Sequence, residues 1–194
     1  MAIPFKISPF TDNDKNMALN TQSHLHLILG GARSGKSGYA ESLAKEFDLD
    51  VMYVATAQAL DDEMQDRIIQ HQADRPSHWK TIEEPIELAR VIEENSRNDQ
   101  VVLVDCLTLW LMNLMHHEKD LSCEVDRLCD VLMQANGPVL LVSNEISMGV
   151  VPMGELSRNY VDNLGRLHQR IGQVAQKVTL MVAGIPMSVK AESH

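Results

Sequence analysis

The sequence predicts an α/β fold: a mostly parallel sheet with helices on both faces. Three observations carry this expectation. Short apolar runs alternate with longer stretches of helical spacing from Leu25 onward. The runs are apolar throughout rather than at every second position, the pattern of strands buried on both faces. A glycine-rich turn, Gly30 to Ser37, joins the first apolar run to the first helical stretch.

The elements follow in order. LHLIL, ending at Gly30-Gly31, reads as a buried strand, and GYAESLAKEF behind it has helical spacing. VMYVAT (51–56) is a second strand. A helix is expected over 60–72, because Leu60, Met64 and Ile68 recur every four residues. Asp61, Asp62 and Glu63 suit its positive N-terminal end, and Arg75-Pro76 stops it. Residues 84–95 read as a helix, VVLVD (101–105) as a third strand, and 108–116 and 121–135 as two more helices. PVLLVS (138–143) is a fourth strand. Leu156, Tyr160, Leu164, Leu167, Ile171 and Val174 mark a long amphipathic helix, read as core or subunit contact. VTLMVA (178–183) is a fifth strand and IPMSVK a candidate sixth. Residues 1–23 carry two prolines and no apolar period, and are expected to be a flexible tail before a single domain over 24–194.

Composition narrows the function. The 194 residues suffice for a substantial core, and with aromatics at only 4% it must be filled by Leu, Val, Ile and Met. Acidic side chains outnumber basic ones 27 to 17, a formal charge of −10, which argues against a nucleic-acid partner. No apolar run approaches the ~20 residues of a membrane span, and the N-terminus lacks a signal-peptide core. A cytoplasmic protein is expected. Cys106, Cys123 and Cys129 form no CxxC pair and read as reduced, buried, small apolar residues.

The turn has the spacing GxxxxGK[ST]: Gly30, Gly31, Ala32, Arg33, Ser34, Gly35, Lys36, Ser37. Such a loop wraps a phosphate closely with inward backbone N–H groups, and glycine permits that path. Lys36 brings positive charge to the terminal phosphates, and Ser37 offers a hydroxyl to Mg²⁺. Asp105, closing the third strand, is placed to serve the same metal. The expectation is a P-loop domain taking a nucleoside triphosphate and magnesium.

A second set of motifs is more specific. GGARSGKS, YVATAQALDDEMQDRIIQHQADRPSHWKTIEEP and NEISMGVVP together resemble the bifunctional adenosylcobinamide kinase/adenosylcobinamide-phosphate guanylyltransferase family of cobalamin biosynthesis. RLHQRIGQVAQKV and Gly184-Ile185-Pro186 extend the resemblance, which covers nearly everything from Leu25 to Lys190. It implies a RecA-like P-loop architecture, often trimeric. It also implies phosphorylation of the aminopropanol hydroxyl of adenosylcobinamide, then transfer of GMP from GTP through a covalent GMP–histidine. GTP is the guanylyl donor, and ATP is an alternative donor for the kinase step. The family's nucleophile falls on His71. Its nucleotide contacts fall on Gly30 to Ser37, on Thr56, Ala57 and Gln58, on Gln72, Ala73, Asp74 and Arg75, and on Glu83 and Asp105. Where some members carry a histidine before the nucleophile this chain has Gln70, and where some carry Glu it has Asp105.

Other residues remain open between two readings. Asp61 to Glu63 either favour a helix N-terminus or bind magnesium or substrate. Arg75 either binds phosphate or is structural. His78-Trp79 either stacks on a base or corrin, or packs beneath the adjacent loop. Asn144-Glu145, after the fourth strand, is a substrate-loop candidate, and His116-His117 reads as a solvated helix end. Two competing functions share the loop: a small-molecule kinase with no covalent step, and a RecA-like ATPase driving a macromolecular partner, which the acidic charge disfavours.

Overall fold

In a computed structural model of the chain, residues 24–58 and 76–191 are described. The tail 1–23, the expected helix over 60–72 and residues 73–75 lie outside them. The strands are β1 (Leu25–Gly30), β2 (Asp50–Ala55), β3 (Lys80–Glu83), β4 (Gln100–Asp105), β5 (Val139–Asn144), β6 (Lys177–Val182) and β7 (Ile185–Lys190). The described helices are α1 (Lys36–Glu46), α2 (Leu88–Asn95), α3 (Leu107–His116), α4 (Leu121–Met133) and α5 (Glu155–Val174).

One sheet of order β3-β2-β4-β5-β1-β6-β7 holds all seven strands. Every pairing is parallel except the antiparallel β6–β7 hairpin. Alternate strand residues face opposite sides, and each side has its own core. Leu25, Leu27, Met52, Val54, Val102, Val104, Val139 and Leu141 pack against α2, α3, α4 and α5. Ile28, Val51, Tyr53, Val101, Leu103, Leu140 and Val142 pack against Ala40 and Ala44 of α1. Burying each such aliphatic side chain contributes roughly 1.5–3 kcal/mol, and two buried polar exceptions, His26 and Thr179, meet each other, Nε2 to Oγ1, at 2.8 Å.

The structure departs from the sequence expectations in three places and confirms one candidate strand. It adds β3, whose KTIE is mostly exposed at the sheet edge and lacks an apolar run. It confirms β7 as a strand. The helix expected from residue 84 begins at Leu88, because Pro85 disfavours helical backbone at the residue before it. Glu84 instead accepts hydrogen bonds from the backbone N–H groups of Ile86 (3.0 Å) and Glu87 (2.9 Å). Cys106 and Cys129 are buried as expected, but Cys123 is exposed on the first turn of α4.

The apolar stripe of the long helix is core through Leu164, Leu167 and Ile171, whereas Leu156 at its start is exposed. Trp79 is buried in the α1-side core with Lys45 Nζ 5.8 Å above its ring, which is the packing alternative for that residue. His116 and His117 lie exposed at the end of α3.

Candidate active site

The carboxyl edge of the sheet carries the phosphate loop, Thr56 to Gln58, Glu83 and Asp105 among the sequence-predicted residues. β1 delivers Gly30 to that edge between β5 and β6, and α1 leaves from Lys36. The intervening loop turns through left-handed backbone at Arg33 (φ 55°) and Gly35 (φ 91°). Ser34 N–H donates to Gly31 O at 3.3 Å. No side chain caps the start of α1, and its first turn contains no acidic residue. The leading N–H groups of the helix therefore face the loop with no internal acceptor, the arrangement that favours an anion. Lys36 Nζ donates to Gly31 O at 3.2 Å, which folds its charge back over the loop.

Gly30 is required by packing. A Cβ there would lie 2.4 Å from Ser34 Oγ and 3.0 Å from Met181 Cβ and O. The loop is also braced from outside. Gly184 N–H, in the β6–β7 turn, donates to Ser34 O at 3.0 Å. A Cβ on Gly35 would lie 3.4 Å from Gly184 Cα. That turn runs through positive φ at Ala183 (52°) and Gly184 (79°), as a tight two-residue hairpin demands.

Asp105 ends β4, one strand beyond β5 from the phosphate loop. Tyr53 Oη donates to its Oδ2 at 3.0 Å, and among the described residues no hydrogen-bond donor meets Oδ1. The neighbouring Cys106 thiol is pushed up to about 11, by burial first and the Asp105 charge second, with Lys36 opposing. Cys106 is thus a protonated, inert packing residue, and the Lys36 charge is felt where β4 ends. Ser37 and Asp105 offer hard oxygen ligands. Among the described residues no group of three or more His, Cys, Asp or Glu side chains is placed to hold a metal. One hydroxyl and one carboxylate suit Mg²⁺, which keeps waters and takes substrate phosphates as its other ligands.

Thr56, one of the residues expected to contact the nucleotide, is held by a hydrogen-bond network of its own. It is fully buried; its Oγ1 donates to Cys106 O at 2.7 Å and accepts from Cys106 N–H at 2.9 Å. Its carbonyl accepts from Asn113 Nδ2 at 2.8 Å. Thr56 therefore ties β2 to the end of β4, and Ala57 and Gln58 are the half-buried members of that trio. Glu83 lies exposed at the same edge, paired in register with Ala55. His71, Gln72, Ala73, Asp74 and Arg75, with Asp61 to Glu63, lie outside the described residues.

The end of β5 carries a polar network that the sequence reading only half identified. Asn144 and Glu145 were singled out; His168 and Thr108 were not. Glu145 N–H donates to Gly30 O at 3.0 Å, which ties its backbone to the phosphate loop. Ser147 N–H donates to Glu145 Oε1 at 2.6 Å, and the Ser147 hydroxyl donates to the same oxygen. His168 Nδ1 lies 3.6 Å from Glu145 Oε2, and His168 Nε2 is 2.8 Å from Ser143 Oγ. Ser143 Oγ is 3.1 Å from Thr108 Oγ1, which accepts from Asn144 N–H at 2.7 Å. Tyr160 Oη donates to Thr108 O at 2.8 Å. Burial opposes ionisation of Glu145, but the Ser147 hydrogen bonds and His168 outweigh it and hold its carboxyl below the usual range. Burial likewise lowers the His168 imidazole, with Glu145 only partly offsetting it. Burial thus disfavours the charged imidazole of His168 beside the Glu145 carboxylate. The available signal was position: His168 is four residues after Leu164 and three before Ile171, on the buried stripe of α5.

Comparisons agree with this geometry. A protein from Pyrococcus horikoshii OT3 shares the fold with a TM-score of 0.52 at 9% identity, over 93% of each chain. The RadB recombinase superposes with a TM-score of 0.50 at 18% identity, over 82% of this chain and 74% of its own. The Pseudomonas aeruginosa bifunctional adenosylcobalamin biosynthesis protein CobP is 52% identical over 168 residues, 86% of this chain and 97% of the relative. The Escherichia coli K12 bifunctional adenosylcobalamin biosynthesis protein CobU is 36% identical over 179 residues, 84% of this chain and 98% of its own. Residues 26–189 match the family described as cobinamide kinase / cobinamide phosphate guanyltransferase, and the chain belongs to that family.

Proposed function

We propose that this chain phosphorylates adenosylcobinamide and then transfers GMP from GTP to the resulting phosphate through a covalent GMP–histidine at His71. The observation that carries the reading is the phosphate loop at the carboxyl edge of the sheet, in a chain matched to the family over residues 26–189. The loop N–H groups, the start of α1 and Lys36 hold the triphosphate and offset charge that grows on the leaving group. Ser37 and Asp105 would hold Mg²⁺, which supplies charge neutralisation at the phosphates.

In the kinase step the substrate hydroxyl attacks the γ-phosphorus of the triphosphate, and a nucleoside diphosphate leaves. In the second reaction a nitrogen of His71 attacks the α-phosphorus of GTP. An N–P bond forms, the bond to the β-phosphate bridging oxygen breaks, and pyrophosphate departs. A phosphate oxygen of adenosylcobinamide phosphate then attacks the same phosphorus and frees His71, giving adenosylcobinamide-GDP. Thr56, Ala57, Gln58, Gln72 to Arg75 and Glu83 complete the nucleotide contacts in this scheme.

A homo-oligomeric assembly, trimeric by resemblance, is part of the proposal. Its support is β7, an edge strand exposed along its length, with apolar Ile185 (65% exposed), Met187 (53%) and Val189 (65%). No described helix is long and apolar enough to cross a membrane; a cytoplasmic location belongs to the same proposal.

The test is incubation with α-labelled GTP and Mg²⁺. Wild type is expected to retain label covalently, as an acid-labile, alkali-stable phosphoramidate. His71→Ala is expected to lose the label and adenosylcobinamide-GDP formation while keeping measurable kinase activity. His78→Ala and His116→Ala are controls that still label. A His71→Ala variant labelling as fast as wild type overturns the nucleophile assignment and favours a simple kinase.

A further inference from the structure

We propose that Glu145 is the general base of the kinase step and that His168 is its positioning residue. The inference rests on the kinase reading above and concerns which side chain of this protein takes the proton of the attacking hydroxyl. Phosphoryl transfer leaves a protein little covalent work, but the acceptor hydroxyl must lose a proton, and a carboxylate at the phosphate edge is the simplest recipient.

The placement comes from the sheet. β5 lies between β1, which bears the phosphate loop, and β4, which ends in Asp105. Gly30 is in register with Asn144, and Asp105 with Val142. Residues 144 and 145 therefore occupy the carboxyl edge between the phosphate loop and Asp105. The bond from Glu145 N–H to Gly30 O (3.0 Å) fixes the Glu145 backbone against the start of the loop itself.

The two carboxylate oxygens differ. Oε1 is occupied by the Ser147 N–H and hydroxyl. Oε2 is paired with His168 Nδ1 at 3.6 Å and, as a carboxylate oxygen with a second lone pair, keeps acceptor capacity for an incoming hydroxyl. His168 is itself fixed through Nε2 at Ser143 Oγ (2.8 Å), and Ser143 through Thr108 (3.1 Å). Strand β5 and helices α3 and α5 thus converge to hold one carboxylate. Asp105 is less suited, since in this scheme its place is on the metal side. The ionised state of Glu145 described above leaves it able to accept a proton at neutral pH.

The step balances as follows. The bond from substrate oxygen to γ-phosphorus forms as the bond to the β-phosphate bridging oxygen breaks. The hydroxyl proton passes to Oε2, and the nucleoside diphosphate carries off the bonding pair. Glu145 releases the proton to solvent with the products. Guanylyl transfer to cobinamide phosphate needs no such base, because its acceptor is already an ionised phosphate oxygen.

That asymmetry supplies the test. The two half-reactions are measured separately: phosphorylation of cobinamide, and covalent GMP labelling with transfer to pre-formed cobinamide phosphate. For Glu145→Gln, which keeps the side-chain shape, kinase kcat is expected to fall on the order of a hundredfold or more. Labelling and guanylyl transfer should stay within about threefold of wild type, as expected if phosphate binding is intact. His168→Gln, which retains a group to meet Ser143, should lower kinase kcat about tenfold with KM for the nucleotide unchanged. Glu145→Asp should recover part of the loss. Kinase turnover by Glu145→Gln at the wild-type rate overturns the proposal. So does an equal loss in both half-reactions, which would mark Glu145 as scaffold. If Glu145→Gln does not fold, the kinase-to-transfer ratio of Glu145→Asp and His168→Gln decides on the same terms. Wild type lacking kinase activity would instead defeat the functional reading itself.

Discussion

Replacing Gly30 with alanine tests the packing of the phosphate loop directly. The added Cβ would meet Ser34 Oγ at 2.4 Å and Met181 Cβ and O at 3.0 Å. Met181 cannot retreat easily, since it is buried in β6 and paired in register with Gly30. The loop must yield instead. Overpacking of this kind costs roughly 1–3 kcal/mol. For a chain of this size each kcal/mol lowers Tm by about 2–4 °C, so a fall of roughly 2–12 °C is expected. Nucleotide affinity should fall about tenfold for each 1.4 kcal/mol of loop distortion that binding must reverse. Ser34→Ala makes the argument sharper. Ser34 Oγ is buried with no hydrogen-bond partner, so its removal should leave the Tm unchanged or raised. In the double variant the closest clash is gone, and about 1 kcal/mol or more of the Gly30→Ala cost should return as coupling energy. Calorimetric unfolding and GTP titration of the four proteins complete the cycle. Gly30→Ala with wild-type Tm and affinity, or a double variant no better than the single, would refute this account of the loop.

Two further predictions concern charge. Lys36→Ala should slow both half-reactions on the order of a hundredfold or more, since both depend on one triphosphate site; a near-normal rate for either would require a second nucleotide site. His168 has a folded-state pKa below its unfolded value of about 6.5, because burial outweighs the help of Glu145. The unfolded chain then binds more protons as pH falls below that value, so stability should drop on acidification through the window beneath it. Glu145, also depressed, adds loss of the same sign only below about 4.3. Between pH 7 and 5.5 the Tm of wild type should fall more than that of His168→Asn, and parallel curves would contradict the assignment.

How much could be read from the sequence follows the range of the interactions involved. β1, β2, β4 and β5 were legible because burial on both faces forces continuous apolar runs such as LHLIL and VVLVD. The phosphate loop was legible because its chemistry is local, confined to Gly30 to Ser37. β3 was not: an edge strand needs backbone partners, not apolar side chains, and KTIE shows no signal of that pairing. Thr56 and Cys106 are joined by hydrogen bonds spanning 50 residues, and His168 meets Ser143 across 25. Contacts of that separation are set by strand order and helix docking, which periodicity does not encode. The start of α2 was misplaced for the opposite reason, a very local one: Glu84 satisfies two N–H groups that a longer helix would have claimed.

The hydrogen bond from Gly184 N–H to Ser34 O makes the outermost hairpin a mechanical extension of the nucleotide pocket. β7 has no neighbour on its outer side within the described chain, yet its turn presses on the loop that cradles phosphate. A surface that settles against β7 and stiffens this turn would alter the free energy of filling the loop to the extent that the turn braces it. By thermodynamic reciprocity, filling the loop must alter the affinity of that surface by the same factor. If that surface were a second copy of the chain, as proposed above, subunit association and triphosphate occupancy would be linked, and a dissociation constant for either would carry the concentration of the other within it.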